Sequence, residues 1–76
     1  MQISDTIIFM DYRFVDILNI DQLEIGDFVE INDEVVSITN ISPMRIGYAI
    51  EYQNEFGEKD IVDFDDYARF NLFVLD

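Results

Sequence analysis

The chain has 76 residues, and its 17 acidic side chains against 4 basic ones give a formal net charge of −13 at pH 7. A domain of this length buries only about 60% of its unfolded surface, which leaves room for one small hydrophobic core and excludes a second domain. Because the sequence contains no Cys and no His, disulfides, thiolate nucleophiles, zinc sites built from Cys and His, and serine triads are excluded as well.

The first third of the chain has the composition of β-strands. Residues 6–9 and 12–20 are rich in Ile, Val, Phe and Tyr, and Asp11 interrupts them. A helix here would carry apolar side chains on every face, so we predict two strands or one bent strand. The following turn is predicted at residues 21–27, where Gly26 is free to adopt a positive φ.

Two further strands are predicted in the middle of the chain, at residues 28–32 and 35–41. Asn32 and Asp33 favour a tight turn between them, because their side chains form hydrogen bonds with the nearby backbone. The next break is predicted at residues 42–44, which contain the only proline of the chain.

The clearest alternation of apolar and polar residues comes next, and it predicts a strand with one apolar, aromatic face. The residues of this face are Ile46, Tyr48, Ile50 and Tyr52. A hairpin loop is predicted at residues 54–58, with Gly57 in the left-handed conformation, before a strand at residues 60–64. Residues 65–68 favour a single turn of helix, since Asp caps helix N-termini well, and residues 70–75 form the last strand.

Short strands at intervals of about 8–12 residues, joined by tight turns, are typical of a small all-β barrel or sandwich. We therefore predict an all-β fold, a small SH3-like barrel of about five to six short strands with a single helical turn before the last strand. Residues 1–76 form a single domain in this prediction, with the barrel over about residues 20–75. Residues 1–12 add an extra edge strand or a strand used in assembly.

Part of this pattern resembles a known group of proteins. Leu23-x-x-Gly26-Asp27-x-Val29, a Val-rich strand to Ile41 and a hairpin that closes at Gly57 are similar to small SH3-like β-barrel proteins, including uncharacterised phage proteins. The resemblance covers about residues 20–75 and implies a fold only. Its opening also resembles that of Hint-type domains, but the Cys and His of such self-splicing domains are absent, so no catalytic or binding residue is implied.

Composition also indicates the cellular compartment of the protein and the ligands that are excluded. Half of the residues are hydrophobic and 14% are aromatic, which is typical of a folded domain and not of a disordered acidic tail. The first ten residues carry Asp5 and no basic residue, unlike a secretory signal, and no apolar run approaches the ~20 residues of a membrane-spanning helix. We therefore expect a cytoplasmic protein, in the host cytoplasm if it is viral. Its charge excludes nucleic acid and anionic membranes as direct ligands.

Other functions are weighed against simpler structural interpretations. A cation site for Ca²⁺ or Mg²⁺ could form from Asp60, Asp63, Asp65 and Asp66, but the glycine spacing of an EF-hand is missing and a solvated strand edge fits better. A pair of carboxylates for hydrolytic chemistry occurs by chance among 17 acids, and so short a chain leaves little interior for a cleft. We therefore expect no enzyme, no metal and no cofactor.

The aromatic and basic residues are interpreted in the same way. A cage for a methylated ammonium could form from Tyr48, Tyr52, Phe56, Phe64 and Tyr67. However, Tyr48 and Tyr52 lie on the alternating face that is predicted to become core. The arginines are expected to pair with carboxylates of the same chain, one of them as a buried structural pair; they are Arg13, Arg45 and Arg69.

The acidic residues themselves carry the strongest functional signal. They are spread evenly, since residues 1–38 hold nine acids and one base while residues 39–76 hold eight acids and three bases. Lys59 is the only lysine. A net charge of about 2–8 suffices to keep a small domain soluble, so the charge of this chain exceeds that need.

We therefore predict a non-enzymatic acidic interaction module that binds a basic, nucleic-acid-binding protein as a DNA mimic or inhibitor. Each carboxylate would accept hydrogen bonds from Arg or Lys as a phosphate does. The first predicted set is Glu51, Glu55, Glu58, Asp60, Asp63, Asp65 and Asp66, and the second is Asp27, Glu30, Asp33 and Glu34. The alternative is a structural subunit of a virion or complex that forms a homo-dimer or larger homo-oligomer through its N-terminal strand.

Overall fold

The computed structural model describes residues 11–75, and most of them belong to six antiparallel strands. The strands are β1 (Tyr12–Asn19), β2 (Phe28–Ile31), β3 (Glu34–Pro43), β4 (Tyr48–Gln53), β5 (Lys59–Phe64) and β6 (Arg69–Leu75). The all-β prediction is confirmed. The strand predicted at residues 6–9 lies outside the described residues, as does the predicted assembly strand up to residue 10. Within the described range, no helix is long and apolar enough to cross a membrane.

The order of the strands across the sheet is β1-β6-β2-β3-β4-β5. From β2 to β5 each strand pairs with the next along the chain. The last strand then inserts between β1 and β2, where Phe73 pairs with Phe14 on one side and with Phe28 on the other. β1 and β5 stand at the two ends of this order, so closure into an SH3-like barrel stays a prediction.

The turn between β2 and β3 follows from its two residues. Ile31 pairs with Glu34, which leaves Asn32 and Asp33 as the loop of the hairpin. Both have a positive φ, 54° and 64°, as a type I′ turn requires. Asn and Asp tolerate this left-handed conformation better than other non-glycine residues, so the predicted tight turn is confirmed.

The break predicted at residues 42–44 lies further along the chain. β3 continues to Pro43, which pairs with Tyr48. Proline has no backbone N–H to donate, and at the last position of a strand this interrupts no hydrogen bond in the interior of the sheet. The turn falls instead at residues 44–47, where the Met44 N–H donates to the Gly47 carbonyl at 3.0 Å.

The predicted helical turn at residues 65–68 is a reverse turn instead. The Ala68 N–H donates to the Asp65 carbonyl at 3.4 Å, and the chain then enters β6 without a helical segment. A 3₁₀ helix lies elsewhere, at Ile20–Gln22 between β1 and β2, where the last residue of a strand and the start of a turn were predicted. The Gln22 side chain helps to start it by accepting a hydrogen bond from the Asn19 N–H at 2.9 Å.

The core lies against one face of the sheet, called here the inner face. Its buried residues are Ile20, Leu23, Val29, Ile31, Val36, Ile38, Ile50, Tyr52 and Phe70. Ile20 lies in the 3₁₀ helix and Leu23 follows it directly, and both pack on the same cluster as the strands. Ile50 and Tyr52 confirm the alternation predicted for β4, whereas Ile46 is exposed because it lies in the turn before that strand.

Because neighbouring strands alternate in direction, the sheet has two distinct ends. The hairpin end holds the start of β1, the end of β6 and the turns at residues 32–33 and 54–58. The opposite end holds the 3₁₀ helix and the turns at residues 44–47 and 65–68, and the Ile20 N–H donates there to the Ala68 carbonyl at 3.0 Å. The position of an acidic residue along its strand or turn therefore assigns it to one end.

Candidate protein-binding site

The hairpin end gathers acidic residues from both predicted sets. We call them the hairpin-end acids: Asp33, Glu34, Glu55, Glu58 and Asp60. All are exposed, and Glu34, Glu58 and Asp60 line a hollow of about 230 Å³ together with Tyr52 and Lys59. The two hairpins that carry these acids are held together because β3 pairs with β4.

The loop at residues 54–58 is held in one shape by Asn54. Its side-chain oxygen accepts hydrogen bonds from the N–H groups of Phe56 and Glu58, both at 2.9 Å. Its side-chain nitrogen donates to the Glu58 carboxylate at 2.7 Å, which fixes that carboxylate at the hairpin end. Gly57 closes the loop with a φ of 81°, as predicted for this position.

The remaining predicted acids lie elsewhere. Three belong to strand interiors, namely Glu30, Glu51 and Asp63. Three lie beyond the strands towards the opposite end, namely Asp27, Asp65 and Asp66. The first set therefore spans the length of β5, which is about 20 Å for a six-residue strand. The structure brings together acids of both sets and separates members of each.

Several of these carboxylates accept hydrogen bonds from neutral donors of the same chain. Glu30 accepts from the Asn71 side chain at 3.1 Å, and Glu51 accepts from the Thr39 hydroxyl at 3.3 Å. Asp27, Asp60 and Asp65 accept from backbone N–H groups at 2.8 to 2.9 Å. A neutral donor orients a carboxylate and brings no positive charge to offset it.

The expected buried pair of an arginine with a carboxylate is not formed within residues 11–75. No charged side chain in this range is buried, and Arg13, Arg45 and Arg69 are all exposed. The reason is the size of the core, which is filled by aliphatic and aromatic side chains and has no room for a charged pair that would need its own hydrogen bonds.

Sequence reasoning missed a second surface beside the hairpin end. On the outer face of the sheet, direct cross-strand pairs join Phe14 to Phe73, Phe73 to Phe28, and Tyr12 to Leu75. We call these five residues the aromatic face. In the sequence, the residues of this face in β1 and β6 stand at alternate positions. Apolar residues of the inner face lie between or next to them, so the alternation is hard to recognise.

The aromatic face meets the hairpin end at a hollow of about 270 Å³. Its apolar lining consists of Tyr12, Phe28, Val35 and Leu75, and its polar lining includes Gln53, Asn54 and Glu55. Glu55 therefore belongs both to the hairpin-end acids and to the border of the aromatic face.

The pKa values of two tyrosines are raised by burial and by nearby carboxylates. Burial raises the pKa of Tyr52, and the charges of Asp60 and Glu34 raise it further. Burial also raises the pKa of Tyr12, with the charge of Glu55 as the second cause. Both hollows are therefore places where a nearby positive charge would be favoured and an added negative charge resisted.

The Tyr52 pKa gives a test of this geometry. Because the folded state holds the phenol proton more tightly than the unfolded state, the free energy of unfolding should fall as the pH rises above about 10. Tyr52→Phe should reduce that fall, and Asp60→Asn should lower the Tyr52 pKa towards its usual value. Urea unfolding at several alkaline pH values checks the first result, and tyrosinate absorbance checks the second. An unchanged alkaline fall in Tyr52→Phe would contradict the placement of these charges.

The other candidate sites do not assemble in the described chain. No group of three or more acidic side chains within residues 11–75 is arranged to hold a metal ion. The residues proposed for an aromatic cage are also dispersed. Tyr52 is buried and Phe64 packs on Phe70 with ring centroids 5.0 Å apart, while Phe56 and Tyr67 are exposed in turns at opposite ends of the sheet.

Comparisons of the chain with protein-family models, with curated proteins and with solved structures found no match. The function of this chain is therefore inferred from its own residues, above all the hairpin-end acids and the aromatic face.

Proposed function

We propose that this chain is a non-enzymatic acidic interaction module whose hairpin end binds a basic, nucleic-acid-binding protein and competes there with nucleic acid. The observation that carries this proposal is the group of hairpin-end acids. They are exposed and come from two adjacent hairpins. They outnumber Lys59, the basic residue that lines the hollow beside them. Arginine and lysine side chains that bind phosphate can bind these carboxylates by the same charge-assisted hydrogen bonds.

The net charge supports the same proposal. At −13 the folded state repels itself, and that repulsion lowers its stability. A basic partner relieves the repulsion where it binds, and it is attracted over a distance of about 10 Å at 0.1 M salt. Association should therefore be fast at low salt and should weaken steeply as salt is added.

The proposal predicts that neutralising the hairpin-end acids weakens binding of the basic partner more than removing the same charge elsewhere. Protein immobilised on beads is mixed with nuclease-treated extract of the cells that produce it, at about 0.05 M salt and again at about 0.5 M. A basic protein should be retained at the low concentration only, and duplex DNA should displace it after purification. The triple variant E34Q/E55Q/D60N should bind that protein about tenfold more weakly than wild type, since each exposed ion pair contributes about 0.2–1 kcal/mol.

The matched control is the triple variant D21N/E24Q/D66N, which removes the same charge from exposed residues at or near the opposite end. It should bind within about twofold of wild type. Equal losses in both triple variants would show that net charge acts without a defined site. Retention of no basic protein at low salt would contradict binding through charge.

One observation favours the alternative function, a structural or assembly subunit. Phe14 and Leu75 on the aromatic face are 51% and 46% exposed, and apolar surface of this kind often marks contacts between proteins. Sedimentation of wild type at about 0.15 M salt separates the two functions. The proposed function expects a monomer of 9.0 kDa, whereas a stable oligomer would favour assembly.

A further inference from the structure

The aromatic face is a row of apolar side chains on the outer face, of which Phe14 and Leu75 are exposed and Tyr12, Phe28 and Phe73 are half-buried. The Tyr12 and Phe28 rings lie 5.4 Å apart between centroids, and the Phe14 and Phe73 rings lie 6.0 Å apart with an edge-to-face arrangement. Ile17 extends the surface along β1, opposite Asn71, and is 45% exposed. Exposed apolar side chains that adjoin one another in this way often mark a contact with another molecule.

Acidic residues border this surface on two sides. Glu55 lies at the edge of the hollow that Tyr12 and Phe28 line. Glu30 lies on the same outer face as Phe28, two residues further along β2, and bonds to Asn71 of β6. The patch is therefore apolar in its centre and negative at its border.

This combination selects one chemistry of occupant. An arginine has an aliphatic stem and a planar cation that stacks on aromatic rings, so it matches a hollow lined by Tyr12 and Phe28 with Glu55 at its edge. Apolar side chains on the same segment match Phe14 and Phe73. A second copy of the chain matches poorly, because both copies carry a net charge of −13 and the same acidic border.

We propose that the aromatic face is the anchor site for a basic amphipathic segment of the partner, which places an arginine in the hollow lined by Tyr12 and Phe28, beside Glu55, and lays apolar side chains over Phe14 and Phe73. This inference rests on the proposed function, because it states what the basic partner presents. The hairpin-end acids attract the segment, and the aromatic face holds it.

The test uses the full chain and two synthetic peptides with fluorescent labels. One peptide combines arginines with leucines, and the other has serines in place of the leucines at the same charge. At about 0.15 M salt the leucine peptide should bind at least about tenfold more tightly than the serine peptide. The difference should persist at about 0.5 M salt, because salt screens charge and does not weaken apolar contacts.

Single variants locate the binding of the leucine peptide. Glu55→Gln should weaken it several-fold, whereas Glu24→Gln, the same change at an exposed residue near the opposite end, should not. Phe14→Ser should remove most of the advantage of the leucine peptide over the serine peptide. Tyr67→Ser is the control, since Tyr67 is an aromatic residue that is 88% exposed far from this face. Thermal unfolding of each variant verifies that it is folded, and amide chemical shifts of wild type give a readout independent of the variants.

The outcomes separate this inference from the proposed function. If both peptides bind equally and E34Q/E55Q/D60N weakens both, the proposed function stands and the anchor site is wrong. If neither peptide binds and no basic protein is retained, the proposed function itself is wrong. Dimerisation of wild type that Phe14→Ser abolishes would identify a second copy as the occupant. A gain in affinity for the leucine peptide when Ile7 and Ile8 are replaced by serine would identify the chain's own first residues. Each of these last two results would overturn the inference.

Discussion

Replacing Gly47 by alanine is expected to lower the free energy of unfolding by about 3 kcal/mol or more, which is a large share of the stability of so small a domain. Gly47 is buried and has a φ of 80°, a conformation that L side chains rarely adopt. A Cβ at this position would overlap the Phe64 carbonyl oxygen and lie 2.9 Å from Asp65 Cα. Both obstacles are backbone atoms at the end of β5, so they cannot move without disturbing its pairing with β4.

Gly57→Ala is the matched control. Gly57 has nearly the same φ, 81°, but no atom lies within 4 Å of the Cβ that alanine would add. Only the left-handed conformation is then disfavoured, at about 1–2 kcal/mol. Urea unfolding followed by circular dichroism compares the two variants with wild type. Equal losses at both positions would show that the close approach of β5 to Gly47 does not form in solution.

The same contrast shows which parts of the fold are local. The Asn32-Asp33 turn and the Gly57 loop were predictable, because their residue types favour positive φ without help from the rest of the chain. The special role of Gly47 was not predictable, since the atoms that exclude a side chain there belong to β5, about seventeen residues further along the sequence. Steric constraints of this kind appear only when strands are paired.

The order of the strands in the sheet could not be predicted from the sequence either. Composition and alternation identified all six strands with bounds within two residues of those in the structure. Nothing in the local pattern indicated that β6 would insert between β1 and β2. That insertion brings Phe14, Phe28 and Phe73 side by side, so the aromatic face could not be predicted before the order of the strands was known.

The sequence predicted an acidic surface, but it did not predict which acidic residues lie together. Net charge indicated an anionic surface, and all of the hairpin-end acids belonged to one of the two predicted sets. Grouping by sequence neighbourhood joined Asp60 to Asp65, although the length of β5 separates them. Pairing of β3 with β4 instead brings Glu34 to the end that holds Glu58 and Asp60.

Shortening Ile50 to alanine is expected to lower the free energy of unfolding by about 2–5 kcal/mol. Ile50 is fully buried at 0% exposure, and it lies between Ile41 of β3 and Val62 of β5, its direct cross-strand partners. Its removal leaves a cavity that the paired backbones on both sides prevent from closing. A 76-residue domain has few other buried side chains to offset this loss, so a large fraction of the variant should be unfolded.

Ile61→Ala makes the same chemical change on the neighbouring strand and serves as the control. Ile61 is 60% exposed on the outer side of β5, so its loss should cost less than about 1 kcal/mol. Denaturant unfolding of both variants measures the difference. Because the hairpin-end acids are held in place by β3, β4 and β5, Ile50→Ala should also weaken binding of the basic partner in proportion to its unfolded fraction, while Ile61→Ala should leave binding intact. Equal destabilisation by the two substitutions would mean that the inner face of the sheet does not carry the core.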